Sequence, residues 1–193
     1  SYDYKNIKTD LDFSSDGSVV VRQERDYSFL GSFSYAYLDL EKKGAANIRF
    51  MGIVDMDTND SLTYDIEEDS SHIKATWYYS ADTQIKRFLI VYKIEGAVKR
   101  YSDVAEFYWK VIEDSHENID YSYSTVNLPS SSKDLFKVFV HTTAVPGQIS
   151  FSKDFTSAFV SIPKGVPKDS FVEFRVLVEP SIFTGVQQIN QNN

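Results

Sequence analysis

An alternation of apolar and polar residues with a period of two runs through most of this chain. It is clearest in residues 19–29, VVVRQERDYSF, where every second residue belongs to one face. Successive side chains of a β-strand point to opposite faces of a sheet, so this period predicts half-buried strands. Residues 7–13 show the same alternation, and Asp16-Gly17 between the two segments favours a tight turn. We therefore predict that the chain begins with a β-hairpin.

The rest of the first half continues the pattern. We predict further strands at residues 34–40, 47–54, 62–66, 72–79 and 84–98. About seven short strands with this spacing are typical of an immunoglobulin-like β-sandwich. The 13 Tyr and 14 Phe against only 2 Met also favour β structure. Since the chain has no cysteine, no disulfide can pin such a sandwich, and we expect Trp77 and its aromatic neighbours to fill the core.

The segment SDVAEFYWKV, residues 102–111, breaks the alternation. Apolar residues recur at the helical spacing i, i+3, i+4, i+7 from Val104 to Val111, which predicts a short α-helix at about 103–112. An acidic residue at its start suits a helix N-terminus. The segment could be an active site, a sugar-stacking platform or a buried hinge, and the helical spacing favours the hinge. We expect a structural role between two β lobes for Asp103, Phe107, Tyr108 and Trp109.

Strands return after this segment. We predict them at residues 119–128, 135–143, 148–151, 158–162 and 171–178. The sequence therefore predicts an all-β, immunoglobulin-like fold with two lobes joined by one short α-helix. The divisions are an N-terminal lobe at 1–98, the helix and a C-terminal lobe at 99–180, and a polar tail at 181–193 that we expect to fray. A single large sandwich is the alternative.

Composition excludes several classes of function. The net charge of −8 leaves no basic stripe for nucleic acid and disfavours docking on an anionic membrane. The absence of cysteine excludes thiol catalysis and cysteine-ligated zinc. No apolar run approaches the length of a membrane span. The three histidines are scattered and no G-x-S-x-G motif occurs, so we predict no catalytic residue and no cofactor.

Four segments carry a resemblance that covers nearly the whole chain. They are DGSVVVRQE at 16–24, IVYKIEGAVKRYSDVAEFYWKV at 90–111, NLP at 127–129 and VEFRVLVEP at 172–180. In this order and spacing they resemble the N-terminal extracytoplasmic domain of the YciQ-like predicted membrane proteins of bacteria and archaea, a domain of unknown function. The chain departs from that pattern at His116, where a second Trp is usual, and at His141-Thr142, where His-Gly is usual. The resemblance implies an exported domain, anchored at the cell surface by a membrane span outside this sequence, and implies no activity.

Two aromatic groups are candidates for ligand binding. The WYY segment contains Trp77 and Tyr79, and the DYSYS segment contains Tyr121 and Tyr123. Rings on an exposed strand face could stack against a sugar, but alternate residues of a strand could equally fill the core. These four residues are therefore weak candidates for a carbohydrate-binding surface.

The segment DMDTND, residues 55–60, resembles the first half of a calcium-binding loop. Asp55, Asp57 and Asn59 supply oxygen ligands at alternate positions. The match then fails, because Asp60 stands where glycine is required and Ile66 where a bidentate glutamate belongs. We predict a solvated turn and no metal site.

These observations favour a non-enzymatic module for sensing, scaffolding or partner binding, with a protein or a cell-envelope molecule as its partner. A carbohydrate-binding or carbohydrate-processing domain of the envelope is the alternative. The two functions predict different surfaces. A non-enzymatic module should have well-packed lobes without a concave pocket. A carbohydrate domain should have carboxylates that face each other beside an aromatic floor.

Overall fold

The computed structural model describes residues 1–190 and consists almost entirely of β-strands. The prediction of an all-β fold is therefore confirmed. The elements, in chain order, are β1 (Tyr2–Phe13), β2 (Val19–Phe29), β3 (Ser32–Glu41), β4 (Asn47–Asp55), β5 (Asp60–Ser61), β6 (Tyr64–Glu68), β7 (His72–Asp82), β8 (Ile85–Glu95), β9 (Val98–Arg100), β10 (Ala105–Ile112), β11 (Ile119–Asn127), β12 (Phe136–Thr142), β13 (Ile149–Phe151), β14 (Ser157–Ile162), β15 (Val172–Val178) and a 3-10 turn (Pro180–Ile182).

The strands form three sheets around one hydrophobic core. An eight-stranded sheet has the order β13-β14-β11-β1-β2-β8-β4-β5, a four-stranded sheet the order β12-β15-β10-β9, and a three-stranded sheet the order β3-β7-β6. Ile7, Trp77 and Phe107 represent the three sheets in the single core cluster. The open sheets give a sandwich-like fold. The three sheets differ from the two antiparallel sheets of an immunoglobulin-like sandwich, so the immunoglobulin-like part of the prediction is not confirmed.

The eight-stranded sheet crosses the boundary that the sequence suggested at residue 98. β1 pairs in parallel with β11, from Tyr4 opposite Ile119 to Asp12 opposite Asn127. β1 also pairs antiparallel with β2 along its whole length. The first strand of the chain is therefore hydrogen-bonded on one side to its hairpin partner and on the other to a strand more than a hundred residues later.

The predicted helix at 103–112 is wrong, because this segment forms β10. It pairs antiparallel with β15, with Ala105 opposite Val178 and Trp109 opposite Phe174. A ladder between two neighbouring strands satisfies the backbone donors and acceptors that a helix would satisfy within itself. Among residues 1–190, no helix has the length and hydropathy needed to cross a membrane.

The predicted frayed tail packs against the body of the protein over most of its length. Ile182 and Phe183 are buried, and the ring of Phe183 lies 5.9 Å from that of Phe13. The guanidinium of Arg100 donates to the carbonyl oxygens of Phe183 and Val186 at 3.4 and 3.2 Å. Burial of these apolar side chains outweighs the polar composition of the segment. Residues 191–193 of the predicted tail lie outside the described residues.

Candidate functional site

A cavity of about 610 Å³ opens between β3 of the three-stranded sheet and β10 of the four-stranded sheet. Its floor comes from the start of β1 and from the residues that follow β10. We call it the β3–β10 cleft. A volume of this size is typical of sites that hold small ligands. This cavity departs from the expectation of well-packed lobes without a concave pocket.

One wall of the cleft is the outward face of β3. Tyr37, Asp39 and Glu41 alternate along this strand and all line the cavity. His72 of β7 lies opposite Glu41, and its Nδ1 is 3.1 Å from Oδ1 of Asp39. The inward residues between them, such as Leu38, are buried. The period of two thus places one phenol ring and two carboxylates on the same wall.

The other wall is the outward face of β10. Glu106, Tyr108 and Lys110 line the cavity, while alternate residues point into the core. The hydroxyl of Tyr108 donates to Oε2 of Glu173, on β15, at 2.7 Å. This bond to a carboxylate raises the pKa of Tyr108 above its usual value, so the ring is a neutral phenol at physiological pH. Arg175 on the same strand pairs with Glu106 at 2.7 Å.

Lys110 connects the two walls. Its ammonium lies 3.3 Å from Oε1 of Glu41 on β3 and 2.6 Å from Oδ2 of Asp114 beyond the end of β10. Burial alone would lower the pKa of Lys110, but the two carboxylates outweigh it and raise the pKa. The lysine is therefore charged, and it bridges β3 and β10.

A buried ion pair lies at the floor. The guanidinium of Arg25 on β2 donates to both carboxylate oxygens of Glu113, each at 2.7 Å, and the Arg25 side chain has no exposed surface. Burial disfavours the charge on Glu113, but the charge and hydrogen bonds of Arg25 dominate and lower its pKa. Arg25 likewise keeps its proton, because Glu113 outweighs burial and raises its pKa.

Tyrosine rings complete the floor beside this pair. Tyr2 and Tyr4 line the cleft, with their ring centroids 5.6 Å apart in an edge-to-face arrangement. The hydroxyl of Tyr4 donates to that of Tyr27 at 3.4 Å. Burial raises the pKa of Tyr4 well above its usual value. The floor thus offers aromatic surface and hydroxyl groups that remain protonated.

Each carboxylate that lines the cleft already has a partner. The six pairs are Asp39 with His72, Glu41 with Lys110, Glu106 with Arg175, Glu113 with Arg25, Asp114 with Lys110, and Glu173 with the Tyr108 hydroxyl. A carboxylate that has one ionic partner keeps free lone pairs for hydroxyl or amide donors. The arrangement can therefore accept hydrogen bonds from a ligand and stack against its rings.

The four aromatic residues proposed from the sequence lie outside the cleft. Trp77 has no exposed surface and belongs to the core. Tyr79, on the same strand, is half-buried and its hydroxyl donates to the carbonyl oxygen of Tyr35 at 3.1 Å. Tyr121 is exposed and Tyr123 half-buried on β11. The first pair lies on β7 of the three-stranded sheet and the second on β11 of the eight-stranded sheet.

The four residues proposed for an interlobe role lie in or just before β10. Tyr108 and Trp109 both line the cleft, Tyr108 exposed and Trp109 buried. Phe107 is buried, with its ring 4.9 Å from Phe13. Asp103 is exposed in the bend that precedes the strand. Residues 102–111 therefore supply one wall of the cleft.

The calcium candidate residues form a turn in which two carboxylates already have cationic partners. Asp55 bonds to the buried ammonium of Lys86 and accepts from the backbone N–H of Asp57 at 3.0 Å. Asp57 pairs with Arg87 at 3.2 Å, and Asn59 occupies the turn with a positive φ of 63°. Within residues 1–190, no group of three or more acidic or histidine side chains is placed to share a metal ion.

Sequence reasoning missed most of the residues that build the cleft. Tyr37, Glu41, Arg25 and Glu113 were not singled out. One signal was present: in the alternation of residues 19–29, Arg25 falls on the same face as the buried valines. A charged side chain on a face predicted to be buried requires a partner. In the structure, the partner of Arg25 is Glu113.

Solved structures with a similar fold have very low sequence identity to this chain. Yeast LTA4 hydrolase has 7% identity over 92% of this chain and 29% of that one, with a TM-score of 0.59. A putative protease from Parabacteroides distasonis has 8% identity over 91% and 40%, with a TM-score of 0.51. An M1 zinc metallopeptidase from Deinococcus radiodurans has 8% identity over 90% and 42%, with a TM-score of 0.50. The chain spans less than half of each of these proteins, and the likeness shows the fold alone.

Sequence comparison identifies the family. No functionally curated protein matches the chain. One family model matches residues 3–178, which include every cleft residue named above except Tyr2. Its description, the N-terminal domain of predicted membrane proteins, confirms the resemblance inferred from the four sequence segments. The chain belongs to the family of the DUF2207 N-terminal domain.

Proposed function

We propose that this chain is an extracytoplasmic ligand-binding module of a membrane-anchored protein, and that its ligand binds in the β3–β10 cleft. The observation that carries the proposal is the cavity of about 610 Å³, whose walls belong to different sheets and are bridged by Lys110. Such a concave site with a few polar groups and exposed rings is where small ligands generally bind.

The ion pairs of the cleft carboxylates favour ligand binding over catalysis. A general acid must hold its proton near neutral pH, which requires a raised pKa. Glu113 is instead held ionised by Arg25. Glu106 is paired with Arg175, and Glu41 with Lys110. These carboxylates are thus engaged in ion pairs, an arrangement that favours recognition through hydrogen bonds.

The cellular setting is part of the proposal. The family description, predicted membrane protein, supports a domain that works next to a membrane. The resemblance stated above implies export, so we place the module on the outer side of the membrane with its anchor outside this sequence. Its partner is then a molecule of the cell envelope, which could be a saccharide or an exposed peptide.

Processing of a carbohydrate is the second candidate, and one observation favours it. Carboxylates stand on both walls of the cleft, Asp39 and Glu41 on one side and Glu106 and Glu173 on the other, with tyrosine rings between them. Glycosidases use two carboxylates that face each other across a sugar. This reading requires one of those acids to become protonated when substrate binds.

Ligand titration with a matched pair of variants tests the binding proposal. A panel of envelope oligosaccharides and short peptides is titrated against the protein by calorimetry. Tyr108→Ala removes a ring that lines the cleft, and we expect it to weaken binding by at least about tenfold. Tyr35→Ala is the control, because Tyr35 is an exposed tyrosine that does not line the cleft. Binding that Tyr108→Ala and Tyr35→Ala affect equally would count against the cleft.

Turnover separates the two candidates. Each bound saccharide is incubated with the protein, and released sugars are measured by chromatography. We expect no release. Release that is lost in Glu106→Gln and in Glu173→Gln, while melting temperature is kept, would replace the binding module with a carbohydrate-processing enzyme.

A further inference from the structure

Strand β12 forms one edge of the four-stranded sheet and pairs on one side only, with β15. Its seven residues keep an unbroken register, from Phe136 opposite Val178 to Thr142 opposite Val172. Within residues 1–190, no segment other than β15 forms a hydrogen bond with the backbone of β12. Alternate residues of an edge strand direct their N–H and C=O groups away from the sheet. In this part of the chain, β12 therefore presents a row of backbone donors and acceptors that could pair with another strand.

The other five sheet edges carry features that discourage pairing with a further strand. β5, β9 and β13 contain only two or three residues. β6 has the sequence YDIEE, with three carboxylates in five residues. β3 has a register shift between Phe33 and Tyr35 and forms a wall of the cleft. β12 has neither a proline nor a register shift, and Lys137 is its only lysine, arginine or acidic residue. β12 is therefore the edge best suited to accept a strand.

An apolar groove runs along this edge. A cavity of about 200 Å³ is lined by three consecutive residues of β12, which are Val138, Phe139 and Val140. Successive side chains point to opposite faces of a strand, so contact with all three indicates that the cavity lies beside the strand. The other wall comes from β13, β14 and the turn before β13, through Pro146, Gly147, Ile149, Val160 and Ile162. We call it the β12–β13 groove.

Exposed apolar side chains collect around this groove. They are Phe139, Val145, Ile149, Phe151 and Phe155. The ring of Phe136, on β12, lies 5.0 Å from that of Phe151, on β13, so the two strands are in contact at one end of the groove. Clusters of exposed apolar side chains mark surfaces that bind other molecules.

We infer that the β12–β13 groove binds an extended segment of another polypeptide, which adds a strand to β12. A polypeptide backbone supplies alternating donors and acceptors at the spacing that a β-ladder requires. Alternate side chains of the added strand enter the groove, where Val138, Ile149 and Val160 favour apolar residues. The site is separate from the β3–β10 cleft, because β15 lies between β12 and β10.

Charge indicates which residues the added strand carries on its outer face. Lys137 is exposed on β12, and within residues 1–190 no carboxylate lies within ion-pair distance of it. The chain carries −8, but residues 136–162 contain two lysines and one aspartate. That aspartate, Asp154, accepts from the hydroxyls of Ser152 and Thr156. Opposite charges on facing residues of neighbouring strands stabilise their pairing, so the preferred partner has an acidic residue opposite Lys137.

The same charge disfavours a second copy of this chain as the partner. Two copies that pair through β12 would place the sequence FKVFVHT against itself. This strand has no carboxylate to place opposite Lys137. The partner is therefore a different segment, in which apolar residues alternate with polar and acidic ones.

A capped heptapeptide, as long as β12, tests the inference. It has valine at alternate positions and threonine or glutamate between them. We expect binding by calorimetry, and protection of the N–H groups of residues 136–142 from hydrogen exchange. A peptide of the same composition with its valines in one block should bind at least about tenfold more weakly. Absence of protection at millimolar peptide would overturn the inference.

Methylation of the peptide backbone tests the ladder itself. Methyl groups on alternate nitrogens block hydrogen bonding along one edge of the added strand. Two such peptides can be made, one for each edge. We expect one to lose binding and the other to keep it, because only one edge faces β12. Retention of binding by both would show that no ladder forms and would overturn the added strand.

Two exposed isoleucines provide a matched pair of variants. Ile149 lines the groove, whereas Ile85, at the start of β8, is exposed and does not line it. Ile149→Gln should weaken peptide binding at least about tenfold, and Ile85→Gln should leave it unchanged. Both positions are exposed, so the two variants should melt close to the wild type. Equal peptide binding by both variants would overturn the groove as the site.

Lys137→Gln tests the acidic preference. It should weaken binding of the glutamate peptide about twofold to fivefold, as expected for one cross-strand charge pair. It should leave unchanged the binding of a peptide with threonine in place of glutamate. An equal effect on both peptides would overturn the acidic preference.

Two further measurements separate this site from its alternatives. We expect light scattering to show a monomer. A dimer that dissociates in Ile149→Gln, without peptide binding, would overturn the peptide and assign the groove to a second copy. Tyr108→Ala, in the cleft, should leave binding of the heptapeptide unchanged. Loss of that binding in Tyr108→Ala would place the peptide in the cleft and overturn the groove.

Discussion

The guanidinium of Arg25 and the carboxylate of Glu113 form two parallel hydrogen bonds of 2.7 Å beneath the floor of the cleft. Nε of Arg25 also donates to Gln23 at 2.7 Å, and the amide of Gln23 donates to Thr9 and to the carbonyl oxygen of Val111 at 2.9 and 3.0 Å. This chain of bonds runs from the centre of the eight-stranded sheet to the end of β10. The position of the cleft floor therefore depends on a buried ion pair.

Loss of Glu113 alone should be strongly destabilising. Glu113→Ala leaves the charge of Arg25 buried without a partner, and breaking a buried pair in this way typically costs about 3–5 kcal/mol. Replacing both residues, as Arg25→Met with Glu113→Leu, removes both charges and should recover much of the loss. Urea unfolding measures the free energies.

The exposed pair of Lys5 and Asp120, at 2.9 Å, is the control. Asp120→Ala should destabilise the protein much less than Glu113→Ala, because solvent screens exposed pairs. Equal effects of Glu113→Ala and Asp120→Ala would show that the buried pair does not hold the floor.

The same pair should make stability depend on pH in the acid range. Arg25 outweighs burial and holds the pKa of Glu113 in the folded protein below its usual value of 4.5. The folded state therefore favours the ionised form, and its contribution is complete above pH 4.5 and is lost as the pH falls through the lower, folded pKa. We expect the free energy of unfolding to fall as the pH drops below about 4.5. The slope should be shallower in the double variant Arg25→Met, Glu113→Leu, and equal slopes would contradict the assignment.

Calcium should leave the melting temperature unchanged. The carboxylate of Asp55 is bonded to buried Lys86, and Asp57 to Arg87, so a cation would have to displace two ammonium or guanidinium groups. A ligand raises the melting temperature only when it binds the native state. Melting curves with and without millimolar calcium check this. A rise that disappears in Asp55→Ala would make the turn a metal site.

Local features of the fold could be predicted from the sequence. The hairpin of β1 and β2 follows from alternation and from Asp16-Gly17, where Gly17 has a φ of 83° and Asp16 accepts from the N–H of Ser18 at 2.9 Å. Such turns depend on a few neighbouring residues. The cleft could not be predicted in this way. Its walls lie on β3 and β10, about 70 residues apart in the chain, and their approach depends on the packing of whole sheets.

The misprediction of β10 has a specific cause. Val104, Phe107, Tyr108 and Val111 fit a helical stripe, but Ala105, Phe107, Trp109 and Val111 fit an alternation equally well. A segment of about ten residues is too short for periodicity alone to decide between them. Pairing with β15 and β9 decides in favour of the strand. Tyr108 then faces the cleft instead of the core.

Truncation of adjacent residues in β10 distinguishes the strand from the helix and links the fold to the site. Trp109 is 3% exposed and packs in the core, so Trp109→Ala should cost about 3–5 kcal/mol of unfolding free energy. Tyr108 is 43% exposed, so Tyr108→Ala should cost less than about 1 kcal/mol, as substitutions away from the core do. In a helix with the predicted stripe, Tyr108 would be buried as well, and Tyr108→Ala would also be costly. Denaturant unfolding of both variants measures the order, and a stable Tyr108→Ala protein is also what makes its loss of ligand binding interpretable.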